Sequence, residues 1–255
     1  MQTAFLFIKP HAVNPTVAEY VEQRLLSDGY IIEAFGFVPC DVIARDNLAV
    51  KHYGTLAQRA LSIPPTKLPR PDDNVLQKFV KEYGISFDDA CTSGRLCNVT
   101  DYLENEKNQS SSSSSSSRTF DPFEFEKEWR SSTCLKLFPG TYCSIMTNKL
   151  IVVNGFFPAM QAKYEKIEYA PNGIQFFLIS FDSKKIHWKD FREQFIGATN
   201  PKKAVEGSLR HYLYHNYESM DLATQPAGSD NGIHASASPV EAGMFLTSKF
   251  FLLNY

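Results

Sequence analysis

The 255-residue sequence lacks features that define several common classes of protein. It has no uninterrupted run of about 18 apolar residues, which a transmembrane helix would need. Its formal net charge of −2 shows none of the basic excess typical of proteins that bind nucleic acids or membrane surfaces. We therefore expect a cytoplasmic protein with neither a membrane nor a nucleic-acid partner.

The cysteines form neither a disulfide framework nor a metal motif. They number five, and no close pair has the spacing of zinc ligands. The six histidines supply no such spacing either. The sequence therefore predicts reduced thiols and no metal ion held by protein side chains.

Familiar nucleotide-binding and hydrolase motifs are also absent. There is no G-x-x-x-x-G-K-[ST] loop, no G-x-G-x-x-G loop, no G-x-S-x-G turn and no protein-kinase motif set. If a nucleotide binds, side chains must hold it in place of a glycine-rich loop.

What the chain does contain is a succession of strand and helix patterns. Residues 3–9 are rich in Phe and Ile and predict a buried strand, being too short for a signal peptide. A helix is predicted from Asn14 to Gly29, where proline near the start and glycine at the end are typical boundaries. The remaining predictions are a strand at 30–43, helices at 46–53, about 74–83 and about 121–131, a hairpin at 141–153, a helix at 157–164, a strand at 173–181, helices at 188–195 and near 240, and an apolar tail at 245–253 that we interpret as a terminal strand.

This order indicates an α+β protein. We expect a ferredoxin-like βαββαβ sandwich with a four-stranded antiparallel sheet and a long, mostly helical insertion. The insertion contains a serine run at 110–117, which cannot bury enough apolar surface to offset its ordering entropy. Disorder is therefore predicted over about 105–119.

Small and polar residues surround one histidine in the last third of the chain. Residues 197–201 read GATNP, 207–210 read GSLR and 230–238 read DNGIHASAS. Small neighbours leave room for a substrate at the ring of His234, and an arginine and a threonine suit a phosphate group. Each piece alone is more typical of a turn or of a structural histidine.

Together these pieces resemble motifs of the nucleoside diphosphate kinase family. The intervals from Thr199 to Arg210 and from Asn231 to His234 equal those of the family. The resemblance covers about residues 3–56 and 154–241. The matching motifs are IKPHAV at 8–13 for I-K-P-D-G-V, HYGTL at 52–56 for H-Y-x-x-L, GFFPAM at 155–160 for R-P-F-F-A-G-L, GATNP at 197–201 for G-E-T-N-P, SLR at 208–210 for T-I-R, and NGIHAS at 231–236 for N-I-I-H-G-S.

The resemblance implies a ping-pong phosphotransferase in which His234 takes the γ-phosphate of a nucleoside triphosphate such as ATP or GTP and passes it to a nucleoside diphosphate. Magnesium would be held through the nucleotide phosphates. His234, Lys9 and Tyr53 are the implied catalytic residues, with Tyr53 beside His234. The implied nucleotide-binding residues are Lys9, Arg192, Arg210 and Thr199 at the phosphates, Asn231 at the sugar and Phe156 at the base.

The sequence also departs from the family pattern. Glu193 stands where the family has a phosphate-binding arginine, and Arg192 is one residue earlier. The family's glutamate that supports the histidine has only Glu241 as a candidate. A weaker hydrogen bond to the ring would reduce its nucleophilicity. Other family positions are occupied by Asn154 in place of arginine, His11 in place of aspartate and Ala237 in place of aspartate.

Three further expectations concern the organisation of the chain. Residues 1–56 and 154–255 would form the kinase-like core, and residues 57–153 an insertion at the rim of the nucleotide site that acts as a lid or binds a partner. A smaller aromatic and histidine-rich insertion follows Arg210; it suggests either a ligand site or altered subunit contacts. We expect a homo-oligomer, as is usual in the family.

Two alternatives to an active kinase stay open from the sequence. One is a catalytically weak or inactive nucleotide-binding module with a regulatory or scaffold role. The other, a ferredoxin-like domain that binds nucleic acid, lacks a basic excess and the usual aromatic motif.

Overall fold

The computed structural model describes residues 1–110, 120–168, 173–228 and 230–247. The chain divides into a first unit, Met1–Leu48 with Lys163–Tyr255, and a second unit, Ala49–Ala162. Among the described residues, no helix has the length and apolar character needed to cross a membrane.

Helices and strands follow one another along the chain, and they are numbered in that order. The strands are β1 (Gln2–Ile8), β2 (Ile31–Val38), β3 (Leu96–Cys97), β4 (Leu135–Phe138), β5 (Thr141–Ile145), β6 (Ile151–Val153), β7 (Ile174–Phe181) and β8 (Ile233–Ala235). The helices are α1 (Pro15–Ser27), α2 (Cys40–Arg45), α3 (Leu48–Leu61), α4 (Asp73–Tyr83), α5 (Phe87–Thr92), α6 (Val99–Ser110), α7 (Pro122–Arg130), α8 (Phe157–Glu165), α9 (Trp188–Asp190), α10 (Leu209–His215) and α11 (Pro239–Thr247). A π-helix spans Phe191–Ile196.

The first unit is built on a four-stranded sheet with the order β2-β7-β1-β8. Every pair of neighbouring strands in it is antiparallel. In the central strand β1, Leu6 pairs with Phe177 on one side and with Ala235 on the other. All three side chains belong to one buried cluster. The predicted combination of helices with an antiparallel sheet is confirmed.

Helix α1 packs on that cluster, and its sequence explains where the helix begins. The side chain of Asn14 accepts a hydrogen bond from the N–H of Val17, and Pro15 occupies the first helical position. Val17, Val21 and Leu25 are fully buried, at the four-residue spacing of one helix face.

Two element boundaries differ from the sequence prediction. The strand predicted over 30–43 ends at Val38, because Pro39 has no N–H to donate and is followed at once by helix α2. The helix predicted over 46–53 is the longer α3, which bends at Gly54, where φ is 34° and ψ is −104°. Glycine adopts such backbone angles readily because it has no Cβ.

The fourth strand of the sheet lies earlier in the chain than the sequence predicts. It is β8, whereas the sequence pattern predicts a terminal strand in the apolar tail at 245–253. Strand β8 has only three residues, which is too short for an alternating pattern to mark it. Helix α11 continues to Thr247, and residues 248–255 lie outside the described residues.

The second unit has its own four-stranded sheet, with the order β3-β6-β5-β4. The predicted hairpin at 141–153 is confirmed as β5 and β6, which pair antiparallel, whereas β3 and β6 are parallel. The pattern of residues 96–97 and 135–138 had not indicated the two outer strands. Gly155 allows the indole of Trp129 to pack closely, since a Cβ there would collide with its Cδ1.

Helix α6 enters the segment for which the sequence predicts disorder. It extends to Ser110, and the side chain of Asn98 caps its start by accepting a hydrogen bond from the N–H of Asp101. Further along the helix, the Glu106 carboxylate accepts a hydrogen bond from the Asn148 side chain. Helix therefore replaces the predicted disorder over 105–110, and residues 111–119 lie outside the described residues.

Candidate functional site

His234 is placed by the short strand β8 at the edge of the first unit's sheet. In the register of β8 against β1, His234 pairs with Phe7 and Ile233 pairs with Ile8. The N–H of Lys9 donates to the carbonyl of Gly232 at 2.9 Å, so the pairing continues past the ends of both strands. Lys9 and His234, which are 225 positions apart in sequence, are thereby brought to the same edge.

The ammonium group of Lys9 sits in an environment that disfavours its charge. The residue is 7% exposed. Burial lowers its pKa to about 7, with further lowering by the charges of Arg210 and Lys163 and an opposing effect of Asp230. An anion bound here would relieve the repulsion between these cations.

The lowered pKa of Lys9 gives a prediction about stability. Because the folded chain releases this proton near pH 7 and an unfolded lysine holds it to about 10.5, the unfolded state binds more protons between these values. The contribution of Lys9 to the free energy of unfolding should therefore rise from pH 7 to pH 10. Urea unfolding of the wild type and Lys9→Met at several pH values measures this difference.

The exposed Lys184 supplies the control for that measurement, as Lys184→Met. Its difference from the wild type should not change with pH over this range. A difference for Lys9→Met that stays flat or falls as the pH rises would contradict the assigned environment of Lys9.

The imidazole of His234 is held in its neutral form. Burial lowers its pKa well below the ordinary value, and the charges of Lys9, Arg210 and Arg192 lower it further. A carboxylate oxygen of Glu241 lies 3.8 Å from its Nε2, beyond hydrogen-bond distance. A neutral imidazole among three cations is a nucleophile in a setting suited to anions.

The side chain of Arg210 binds backbone carbonyls around the site. The residue is 4% exposed, and its Nε and one terminal nitrogen donate to the carbonyl of Ile233 at 3.2 and 2.9 Å. The other terminal nitrogen donates to the carbonyl of Gly197 at 2.8 Å. The guanidinium therefore ties the residue before His234 to the loop that precedes Thr199.

Arg192 contacts the backbone that follows His234. One of its terminal nitrogens donates to the carbonyls of Ala235 at 2.7 Å and Ser236 at 3.3 Å. These residues directly follow His234, so Arg192 and Arg210 hold the backbone on both sides of the histidine.

Arg192 lies in the π-helix, which leads into the loop that contains Thr199. The N–H of Gly197 bonds to the carbonyl of Arg192 at 3.2 Å, a five-residue interval. A turn of π-helix contains one residue more than a turn of α-helix. It therefore accommodates one residue more before Gly197 than a turn of α-helix would.

The side chain of Asn231 bonds to the backbone of Thr199. The amide nitrogen of the Asn231 side chain donates to the carbonyl of Thr199 at 2.9 Å, and the Thr199 side chain is exposed. Asn231 is 1% exposed, and its Oδ1 has no hydrogen-bond partner among the described residues. A buried acceptor without a partner is costly unless a ligand or water satisfies it.

The remaining two predicted site residues belong to the second unit. Tyr53 precedes the bend of α3, and its ring centroid lies 4.5 Å from that of His52. The ring of Phe156 packs near Trp129 at 5.7 Å and Tyr142 at 6.2 Å. Phe156 thus has the surroundings of a residue in a hydrophobic cluster.

Two features of the site were not found from the sequence. Lys163 forms an ion pair with Asp230 at 2.6 Å, beside Lys9. The N–H of Gly232 donates to Nε2 of His11 at 3.2 Å, which requires that nitrogen to be unprotonated. The sequence drew attention to His11 only because a histidine stands there in place of the aspartate of the resembled motif. No motif or pattern in the sequence pointed to Lys163.

Comparison with known proteins finds similarity to solved structures only. No protein-family model and no curated protein matches the chain. The crystal structure of an NDP kinase from Pyrobaculum aerophilum is similar with a TM-score of 0.40 and 15% identity, covering 96% of this chain and 93% of that one. An apo nucleoside diphosphate kinase from Encephalitozoon cuniculi has a TM-score of 0.38 and 14% identity, covering 98% of this chain and 91% of that one. Values this low carry no weight for the activity of this chain.

Proposed function

We propose that the chain is a nucleoside diphosphate kinase-like phosphotransferase that works through a phosphohistidine at His234. The observation that carries this proposal is a neutral imidazole whose pKa is lowered by burial and by Lys9, Arg210 and Arg192. Such a ring is nucleophilic at neutral pH, and the surrounding charge favours a polyphosphate substrate.

The reaction consists of two displacements. A ring nitrogen of His234 attacks the γ-phosphorus of a nucleoside triphosphate, an N–P bond forms, and the bond to the bridging oxygen breaks to release the diphosphate. A terminal oxygen of a second nucleoside diphosphate then attacks the phosphorus and frees the imidazole. Lys9 neutralises the charge that moves to the transferred and leaving oxygens.

Magnesium would be held at this site through the nucleotide phosphates. The nearby carboxylates are engaged, Asp230 by Lys163 at 2.6 Å and Glu241 by the N–H of Ala237 at 2.7 Å. Mg²⁺ prefers oxygen ligands, and phosphates commonly supply them. Bound there, it would neutralise the phosphates and orient them.

Asn231 is the residue that contacts the ribose of the nucleotide. Its buried Oδ1 has no partner among the described residues, and a ribose hydroxyl can donate to it. The other half of the amide is fixed by the carbonyl of Thr199, which keeps Oδ1 in one orientation.

The layout proposed for the first unit is ferredoxin-like. Numbered within that unit, its strands β1, β2, β7 and β8 are first, second, third and fourth, and they lie in the order 4-1-3-2. Helix α1 connects the first two strands, and α10 lies between the last two.

The homo-oligomer is formed through strand β2. This strand is at one edge of the sheet and exposes Ile31, Phe35 and Phe37 by 51%, 58% and 48%. A long apolar edge strand invites pairing, and the same strand of a second copy offers a self-complementary partner.

Phe35→Glu is therefore expected to convert the oligomer into a smaller species. The charge would be buried at the interface without a partner, which weakens association. Sedimentation velocity at micromolar concentration measures the change. Ile167→Glu, a change at an exposed residue of the first unit outside the sheet, should leave the oligomer intact. Equal sedimentation of Phe35→Glu and the wild type would exclude this interface.

A second candidate function is a nucleotide-binding module with little turnover. Two observations favour it: the guanidinium of Arg210 is occupied by backbone carbonyls, and the ring of Phe156 packs among aromatic residues. Both side chains are then less available to a nucleotide than the family resemblance implies.

Initial-rate kinetics separates the two functions. ATP and a diphosphate acceptor are varied together in the presence of Mg²⁺. Parallel double-reciprocal lines, which are the fingerprint of a ping-pong reaction, would support the kinase. Saturable nucleotide binding without turnover would favour the regulatory module.

A further inference from the structure

A phenylalanine ring lies flat against the imidazole of His234. The ring centroids of Phe7 and His234 are 4.7 Å apart, and their planes differ by 20°. The contact is set by the sheet, since these two residues are opposite each other in the register of β1 and β8. Offset parallel stacking at this distance is a favourable arrangement of aromatic rings.

The ring of Phe7 is itself fixed on its other sides. It is 2% exposed. The centroid of the Phe5 ring lies 6.0 Å from that of Phe7 at an interplanar angle of 55°, and the centroid of the Tyr164 ring lies 6.3 Å away at 80°. A side chain enclosed in this way has little freedom to change rotamer, so the surface that it presents to His234 is rigid.

Glu241 does not fix the plane of the imidazole. Its nearer oxygen is 3.8 Å from Nε2, and its other oxygen accepts the N–H of Ala237. Phosphoryl transfer in line with a ring nitrogen depends on the angle of the ring, and small errors of orientation are costly in rate.

We propose that Phe7 is a positioning residue for His234, whose ring holds the plane of the imidazole and covers one of its faces. This inference rests on the proposed function. It predicts that the rate of phosphoryl transfer, rather than the affinity for nucleotide, depends on an aromatic ring at position 7.

The sequence offers a matched control for this idea. Phe5 lies on the same face of the same strand, and its ring stacks on Phe176 at 5.7 Å. Phe5→Leu and Phe7→Leu remove the same atoms from equally buried sites. Phe7→Tyr keeps the aromatic ring and serves as the conservative variant.

Steady-state kinetics of these variants provides the first readout. Phe7→Leu should lower kcat by about tenfold or more with little change in KM, and Phe7→Tyr should restore most of the loss. Phe5→Leu should lower kcat by less than Phe7→Leu, because it loosens the enclosure of Phe7 but leaves the ring that stacks on the imidazole. The proposal is overturned if Phe7→Leu loses no more than Phe5→Leu, or if its loss is confined to KM.

Nuclear magnetic resonance of histidine-labelled protein gives a readout that needs no activity. The ring protons of His234, assigned with His234→Ala, should show an upfield shift from the Phe7 ring that disappears in Phe7→Leu and persists in Phe5→Leu. The nitrogen resonances of His234 should broaden only in Phe7→Leu. A wild type without transferase activity would refute the proposed function, whereas unchanged His234 resonances in Phe7→Leu would refute the positioning role of Phe7.

Discussion

His234→Ala is expected to lower the rate of phosphoryl transfer by more than about a thousandfold, because the substitution removes the nucleophile itself. The fold should survive, since His234 contributes to the sheet through backbone pairing with Phe7 that alanine can also make. A coupled assay of ATP-dependent phosphorylation of GDP measures the rate.

The matched control is His215→Ala. His215 is an exposed histidine on α10. This variant should retain the wild-type rate. Retention of more than about a tenth of the activity by His234→Ala would contradict its role as the nucleophile.

Arg210→Met is expected to lower the free energy of unfolding by about 2–5 kcal/mol. Methionine keeps much of the volume but leaves the carbonyls of Ile233 and Gly197 without their donor at a buried site. Each unsatisfied buried carbonyl costs about 1–3 kcal/mol. Urea unfolding followed by circular dichroism measures the change.

Arg45→Met provides the comparison for this variant. The side chain of Arg45 is 65% exposed and pairs with the adjacent Asp46. Its replacement should change the free energy of unfolding by less than about 0.5 kcal/mol. A loss of less than about 1 kcal/mol for Arg210→Met would show that the guanidinium does not hold β8 in place.

The longer elements of the first unit could be predicted because their sequence patterns repeat. Strand β1 contains a continuous apolar run from Ala4 to Ile8, α1 has caps at both ends, and β7 contains β-branched and aromatic residues. Strand β8 could not be predicted in this way. It has three residues, and it is a strand because β1 supplies a partner for it.

The chemistry of the site was only partly accessible from sequence. The family resemblance implied roles for Lys9 and His234, and the sheet brings them to one edge. The same resemblance implied that Arg210 binds phosphate; in the structure its guanidinium donates to backbone carbonyls, which a motif does not reveal. The stack of Phe7 on His234 depends on strand register, which no local pattern encodes.

The role of residues 57–153 as a lid or partner-binding insertion stays a prediction. The sequence suggests it only through the separation of the motifs that contain Tyr53 and Phe156. Deletion of this segment should change nucleotide affinity or partner binding if the prediction is correct.

The most direct test of the proposed function is to locate the phosphate. The purified chain is incubated with γ-labelled ATP and Mg²⁺, separated from free nucleotide, digested at neutral pH, and analysed by mass spectrometry. We expect an acid-labile, base-stable phosphate on the imidazole of His234 that is lost on addition of GDP. Phosphate on another residue, or bound ATP with no phosphorylated peptide, would contradict the account.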